Sequence, residues 1–386
     1  MTDNEILKFR NTALEAENAY LKSLLSTEEK TLKSKIKDKI KSVVRKPEKT
    51  KIGLVVDVEN WAFANIANNF KKHITEFDVF ILPMSLVDSD IHLMWIMLKD
   101  CDIVHFFCRG LPLTYKSPEL KEKIEKCGDT YENFYQNYLK GKVLTACVYD
   151  HLFLGEDFSA TQYWFSGVEL YYVSSGILKK IYDELDIANK PTTVITDGVD
   201  LELFYPKSLE RFDNTNRTIK IGWVGNSEWN KGTDHKGIAT IIKPAVEDLK
   251  NKGYAVELLT SDKIDKHIPI SEMVNYYEKI DIYVCASVNE GTPNPVLESM
   301  ACGVPVISTD VGIVRDALGE TERSFILEER SVECLENAII EMTEVPGMMK
   351  KCSSENLEAI KSWDWKYKAN DFVEFIKFAL KKGRRL

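Results

Sequence analysis

"VNEGTPNPVLESMACGVPVIS", residues 288–308, sets Glu290 and Glu298 eight positions apart, with Gly291, Pro293 and Pro295 between them. The run ahead of it, "KIDIYVCAS" (279–287), is apolar, β-rich and ends in small residues, the pattern of a buried strand. Asn294 followed by Pro295 signals a helix start, a capping side chain and then the residue suited to the first turn. The apolar run stops at Gly303, a C-cap candidate, and "VPVIST" (304–309) reads as the next strand. Glu290 is therefore expected on a strand-to-helix loop and Glu298 just inside the helix. In a parallel α/β sheet that loop lies at the carboxyl edge, where ligands bind, and a helix N-terminus there favours anions.

The chain around this stretch has 386 residues, enough for two domains with proper cores. It shows no apolar run long enough to cross a bilayer, and "MTDNEILKFR" lacks the apolar core of a signal peptide, so a cytoplasmic protein is expected. The eight cysteines are scattered without a C-x-x-C pair, which reads as reduced thiols. The six histidines are equally dispersed, so spacing suggests no metal site and no cofactor. The net charge is −9, but residues 1–51 carry 13 basic and 8 acidic residues, leaving −14 for residues 52–386. An acidic main body argues against nucleic-acid binding.

The basic excess sits in residues 30–46, where Leu32, Ile36, Ile40 and Val43 follow helical spacing among lysines. That is the pattern of a helix on an anionic membrane surface, here the inner face of the cell membrane, or of a solvated helix packing its stripe on protein. Upstream, Leu7, Leu14, Leu21 and Leu25 with Asn11 and Asn18 fit a short heptad seam in residues 4–28. Such a seam suits a homodimer or a helix docked on the body of the same chain.

From Lys51 onward β-type runs alternate with helical stretches: "KIGLVV", "FDVFILP", "DIVHFFC", "KVLTACVY" and "VELYYVSS", then from residue 218 "TIKIGWVG", "YAVELLTS", "DIYVCAS", "VPVIST" and "RSFILEE". This predicts two doubly wound, Rossmann-like α/β domains facing a cleft. The expected boundaries are a helical segment at 1–50, a first domain at 51–205 and a polar linker at 206–217. A second domain follows at 218–362, then a closing helix and basic tail at 363–386.

Three ordered motifs now carry a resemblance. "YYVSSGILKKIYDELDIANKPTTVITDGVDLELFYP" resembles the end of the first domain of family 4 glycosyltransferases, with its "nGvD…F.P" signature. "IGWVGNSEWNKGTDHKGIATIIKPAVEDL" is similar to the opening of their second domain, and the stretch at 288–308 matches their E-x7-E motif. "SWDWKYKANDFVEFIKF" resembles the last helix, which crosses back to the first domain. The resemblance covers about residues 51–380 and implies a GT-B fold and a retaining glycosyltransferase using a nucleoside-diphosphate sugar.

It also implies roles. Glu298 would accept hydrogen bonds from the ribose and Glu290 from the transferred sugar, while backbone amides of Gly291, Thr292 and Asn294 would face sugar and diphosphate. The leaving diphosphate needs fixed positive charge. The family takes it from an arginine and a lysine on the first loop of the second domain. After Gly225 the arginine position is held by Asn226, a departure from the family; Lys231 and Lys236 compete for the lysine, with Lys236 the better fit. On the acceptor side, Asp150 and His151 resemble the family's "HD" region, and His151 is the candidate for orienting the acceptor hydroxyl. Arg109 holds a similar strand end and suits an acidic acceptor, whereas Asp57 and Glu59 stand where the family often has a glycine pair.

"DSD" at 88–90 copies the D-x-D metal motif of the other large glycosyltransferase fold, but it precedes the helical run "IHLMWIMLKD", where Ser89 and Asp90 work as caps. The basic N-terminal segment favours a lipid-linked or cell-envelope glycan as acceptor. A nucleotide-sugar epimerase and a non-catalytic subunit binding a partner through its N-terminal helix are the competing readings.

Overall fold

The computed structural model describes residues 2–25, 49–59, 61–108, 110–151, 168–214, 216–229, 232–265 and 268–386. Arg109, Lys231 and the basic stripe of Leu32, Ile36, Ile40 and Val43 lie outside the described residues. Helix α1 (Asp3–Leu25) comes first. The first domain then runs β1 (Lys51–Val56), α2 (Ala62–His73), β2 (Asp78–Pro83), α3 (Ile91–Met97), β3 (Ile103–Phe106), α4 (Pro118–Lys126), β4 (Val143–Val148), β5 (Leu170–Val173), α5 (Gly176–Glu184) and β6 (Thr193–Val194). Its strands pair in the order β2-β1-β3-β4-β5-β6, all parallel.

The second domain runs β7 (Ile219–Gly225), α6 (Lys243–Asn251), β8 (Val256–Asp262), α7 (Met273–Tyr277), β9 (Ile282–Cys285), α8 (Asn294–Ala301), β10 (Val306–Thr309), β11 (Ile326–Leu327), α9 (Val332–Glu344) and α10 (Met348–Ala359). Its strands pair in the order β11-β10-β9-β7-β8, again all parallel. Every run read as a strand from the sequence is one; only the two-residue β6 went unread. The central strands are buried along almost their whole length, because helices cover both faces of each sheet.

The closing helix α11 (Trp365–Lys382) crosses back as expected. Trp363 is packed in the second domain's core, whereas Trp365, Phe372 and Phe375 are packed in the first's. Phe372 stacks on Phe70 of α2 at 4.2 Å between ring centroids. A bridge between Val199 and Asp364 ties the two crossing segments where they pass.

The polar stretch at 206–217 is less loose than its composition suggests. Phe212 is buried in the second core, and the Arg217 guanidinium meets both oxygens of buried Asp281 at 2.7 Å. The linker is therefore a strap clamped to the second domain by a two-pronged ion pair.

Helix α1 docks on the first domain. Ala13 and Tyr20 are buried, and the Tyr20 hydroxyl donates to Asp129 at 2.9 Å while its ring meets Phe134 and Tyr138 edge-on. The docking face is aromatic and alanine-rich, and Leu7, Leu14 and Leu21 of the heptad seam stay exposed.

Asp90 caps α3: its Oδ1 accepts from the His92 and Leu93 amides at 2.9 and 3.1 Å, and its Oδ2 meets Lys123 at 3.0 Å. Asp90 is thus the helix cap that the sequence reading expects. Asp90→Ala is expected to cost about 1 kcal/mol in urea unfolding, the usual worth of a lost N-cap, and to leave turnover unchanged. A loss of turnover without a loss of stability would restore a ligand role to "DSD".

Candidate active site

The loops at the carboxyl edge of the second sheet gather most of the expected residues. Glu290 leaves the β9 end and accepts from Ser287 Oγ at 2.7 Å and from the Lys236 ammonium. Lys236 Nζ also lies 5.6 Å from the Trp229 ring centre, and that ring packs on buried His235 at 4.6 Å. The residues expected at the diphosphate and at the sugar are thus one ion pair. Two features hold it in place. Gly237 sits at φ +74°, and a Cβ there would collide with Ala286 O, so only glycine lets this turn pass the β9 end. Arg330 ties the same carbonyl (2.7 Å) to that of Asp234 (2.6 Å).

Glu298 points from α8 toward a separate cavity of about 220 Å³ between the domains, lined among others by Asn65, Asn69, Gly198, Asp200 and Asn294. The Tyr277 hydroxyl donates to its Oε2 at 2.7 Å. Burial, only partly offset by that hydroxyl, pushes the carboxyl up to about 7. Asn294 corrects the sequence reading: it is the first helical residue, Pro293 precedes it, and neither side chain caps. The Asn294 Oδ1 is buried and finds no partner among the described residues. Pro295 at the second helical position has no amide hydrogen to be capped, which relaxes the need.

Gly291 and Thr292 are buried at the seam between the domains. A Cβ on Gly291 would strike Ser174 Oγ and Tyr149 O of the first domain, and one on Gly312 (φ +54°) would strike Gly291 O. Thr292 Oγ1 accepts from the Asp197 amide at 3.4 Å. Asp197 is wholly buried, accepts the Tyr149 hydroxyl at 2.6 Å, and is pushed up to about 7 by burial.

On the first domain, Asp150 and His151 follow β4, and the Asp150 carbonyl accepts the Tyr182 hydroxyl at 2.8 Å. His151 Nδ1 is buried without a hydrogen-bond partner among the described residues. Burial lowers its pKa, neighbouring Asp150 opposes the shift and His235 of the second domain adds to it, so the net effect favours the neutral imidazole. Glu59 is held by Ser85 Oγ of its own domain. Asp57 instead acts across the seam on Lys263, raising its pKa against the larger lowering by burial.

Lys263 is the residue the sequence reading missed. Strands β7 and β8 pair Gly225 with Asp262, so the next residue on each strand, Asn226 and Lys263, leave the sheet side by side. The Lys263 amide donates to Gly225 O at 2.9 Å, and its ammonium lies 2.8 Å from the Trp61 ring centre of the first domain. A cation therefore stands beside the position where Asn226 lacks one. It is read only from strand register, since 37 residues separate the two in sequence. Asp197, Tyr149, Tyr277 and Gly312 were likewise unassigned; Asp197 stood within the "DGVD" signature without a role.

Three buried acids bear on stability. Besides Asp197 and Glu298, Glu322 accepts the Val306 amide, and burial pushes it up to about 8. An acid whose folded pKa is raised holds a proton that the unfolded chain has released, so stability falls as pH rises toward the folded value. Below pH 6.5 the lowered histidines His92, His105 and His151 act in the opposite sense. Between pH 7 and 8 the three acids are the groups, among the described residues, whose raised values fall in or at the edge of the interval. The melting temperature is expected to fall across that interval, and Glu322→Gln to flatten the slope in thermal melts at matched ionic strength. An unchanged slope in the variant removes Glu322 as its source.

Two parallel sheets facing each other, with a crossing helix and the site at their facing edges, define the GT-B fold. Residues 233–359 match the family model described as Glycosyl transferases group 1. Among curated relatives, the capsular polysaccharide biosynthesis glycosyltransferase CapM of Staphylococcus aureus is 25% identical over 205 residues, covering 45% of this chain and 52% of CapM. The matches span less than two thirds of these relatives' own length. Among solved structures, sucrose-phosphate synthase from Thermosynechococcus elongatus superposes with a TM-score of 0.59 at 14% identity, over 85% of this chain and 98% of that one. HepE of Anabaena, in complex with UDP and glucose, gives 0.58 at 12% identity over 85% and 99%. The second domain carries the family match, and the likeness to solved structures shows the fold over 85% of the chain.

Proposed function

We propose that this chain is a retaining glycosyltransferase that moves a sugar from a nucleoside diphosphate to a hydroxyl of a lipid-linked or cell-envelope glycan. The observation that carries the reading is the Lys236–Glu290 ion pair at the facing edges of the two domains. A carboxylate beside an ammonium suits a ligand with hydroxyls at one end and phosphate at the other, because each group meets its complement as the pair opens.

In the reaction the bond from the anomeric carbon to the diphosphate oxygen breaks, a bond from that carbon to the acceptor oxygen forms, and the proton of the acceptor hydroxyl passes to the departing diphosphate. Lys236, with Lys263 beside Asn226, stabilises the charge that develops on the departing diphosphate. Glu290 holds hydroxyls of the sugar, and Glu298 those of the ribose. Neutral His151 accepts a hydrogen bond from the acceptor hydroxyl, orienting its oxygen toward the anomeric carbon. The role of CapM in capsular polysaccharide biosynthesis supports a cell-envelope acceptor, and HepE, solved with UDP and glucose, supports a nucleotide-sugar donor. The lysine-rich stripe at 30–46 supports work at an anionic membrane surface.

Thermal stabilisation by a panel of nucleotide sugars tests the reading. A true donor at a hundredfold over its dissociation constant adds about 2.7 kcal/mol to the folded state. The matching nucleoside diphosphate should also stabilise, and the donor should be consumed when envelope glycan is added. If no nucleotide sugar stabilises the chain at millimolar concentration, the proposal fails.

A further inference from the structure

Helix α1 presents a second face after docking. With Phe9, Ala13, Ala16, Tyr20 and Leu24 turned to the body, Leu7, Leu14 and Leu21 remain 59%, 55% and 37% exposed. These leucines recur every seven residues, and Asn4, Asn11 and Asn18 each precede one by three. With leucine at heptad position d, the asparagines fall at a, Lys8, Glu15 and Lys22 at e, and Arg10 and Glu17 at g. The docked residues fall at c and f, with Leu24 at g, so the a/d seam is turned away from the body while its g flank, where Glu17 acts on Lys123, borders the docked face.

The charges decide what covers it. In a parallel pair each g residue faces the e residue of the next heptad on the other helix. Arg10 then faces the partner's Glu15, and Glu17 faces the partner's Lys22, opposite signs in both cases and twice by symmetry. An antiparallel pair with matched leucines sets e against e and g against g, which brings Lys8 against Lys22 and Glu15 against its own copy and leaves only the Arg10–Glu17 contact attractive. Asparagine at a costs stability but selects two strands in register by pairing side chain to side chain.

We propose that α1 forms a parallel two-stranded coil with α1 of a second copy of this chain. Leu7, Leu14 and Leu21 make the seam, and the catalytic domains are carried on its outer flanks. The occupant is a second copy because the seam is complementary to itself: its leucines, asparagines and flanking charges all find their match in the same sequence. The proposal is independent of the glycosyltransferase reading, since no residue of the cleft takes part.

Sedimentation velocity on the full chain is the test. The parent is expected to show a concentration-dependent dimer, and Leu14→Glu to be monomeric with the melting temperature of the dilute, monomeric parent, because Leu14 is 55% exposed and is not among the residues packed on the body. Glu15→Lys is expected to weaken association about tenfold, and adding Arg10→Glu to restore it, since the pair is then reversed rather than lost. Asn11→Cys should cross-link across the seam under mild oxidation, and Thr12→Cys, on the flank, should not. A parent that stays monomeric at every concentration overturns the proposal and assigns the stripe to another segment or another protein. Failure of the charge reversal to restore association overturns the parallel arrangement.

Discussion

Lys236→Ala is expected to lower turnover by about two orders of magnitude or more, the usual scale for removing one electrostatic stabiliser of a developing anion. The structure sharpens the reason. Lys236 is held between Glu290 and the Trp229 ring at the β9 edge, so its ammonium is oriented before a ligand arrives. Both partners are only partly buried, and the loss of folding stability should be small beside the loss in rate. Lys263→Ala is expected to cost less than Lys236→Ala, because its ammonium is shared with the Trp61 ring and Asp57. Lys231→Ala should cost least. Steady-state kinetics on the three variants gives the order, and a larger loss at Lys231 than at Lys236 reverses the assignment of the phosphate lysine.

Glu290→Ala and Glu298→Ala should separate sugar recognition from nucleotide recognition. Glu298 occupies the cavity between the domains with Tyr277 behind it, so its loss is expected to weaken nucleoside diphosphate and donor alike, roughly ten- to a hundredfold. Glu290 pairs with Lys236. Its removal frees the ammonium, and nucleoside diphosphate affinity should hold or rise while transfer falls by more than a hundredfold. Calorimetry with both ligands distinguishes the two. Equal losses for the free nucleotide in both variants overturn the division of labour between the carboxylates.

The pair also shows how far reading the chain alone reaches. The strand, loop and helix of residues 279–303 were legible because each is written in local chemistry: a buried apolar run, prolines at a helix start, and Gly303 at φ +72° closing it. Asn294 was misassigned as the cap because the proline signal fixes a helix start only to within a residue. The leucine heptad of α1 was legible as a pattern, but which face docks depended on Phe9 and Tyr20 meeting Phe80, Phe134 and Tyr138, residues more than fifty positions away.

The sequence by itself determined the two parallel sheets and the crossing helix, and set Glu290 on a strand-to-helix loop and Glu298 in the helix after it, because strand and helix periodicity and turn residues are properties of neighbours along the chain. Only the tertiary structure decided that Lys236 and Glu290 pair, that Lys263 stands beside Asn226, and that Asp197 and Glu298 are buried enough to hold protons near neutrality. Strand register and desolvation depend on which distant segments come to lie side by side, and no local pattern encodes that distance.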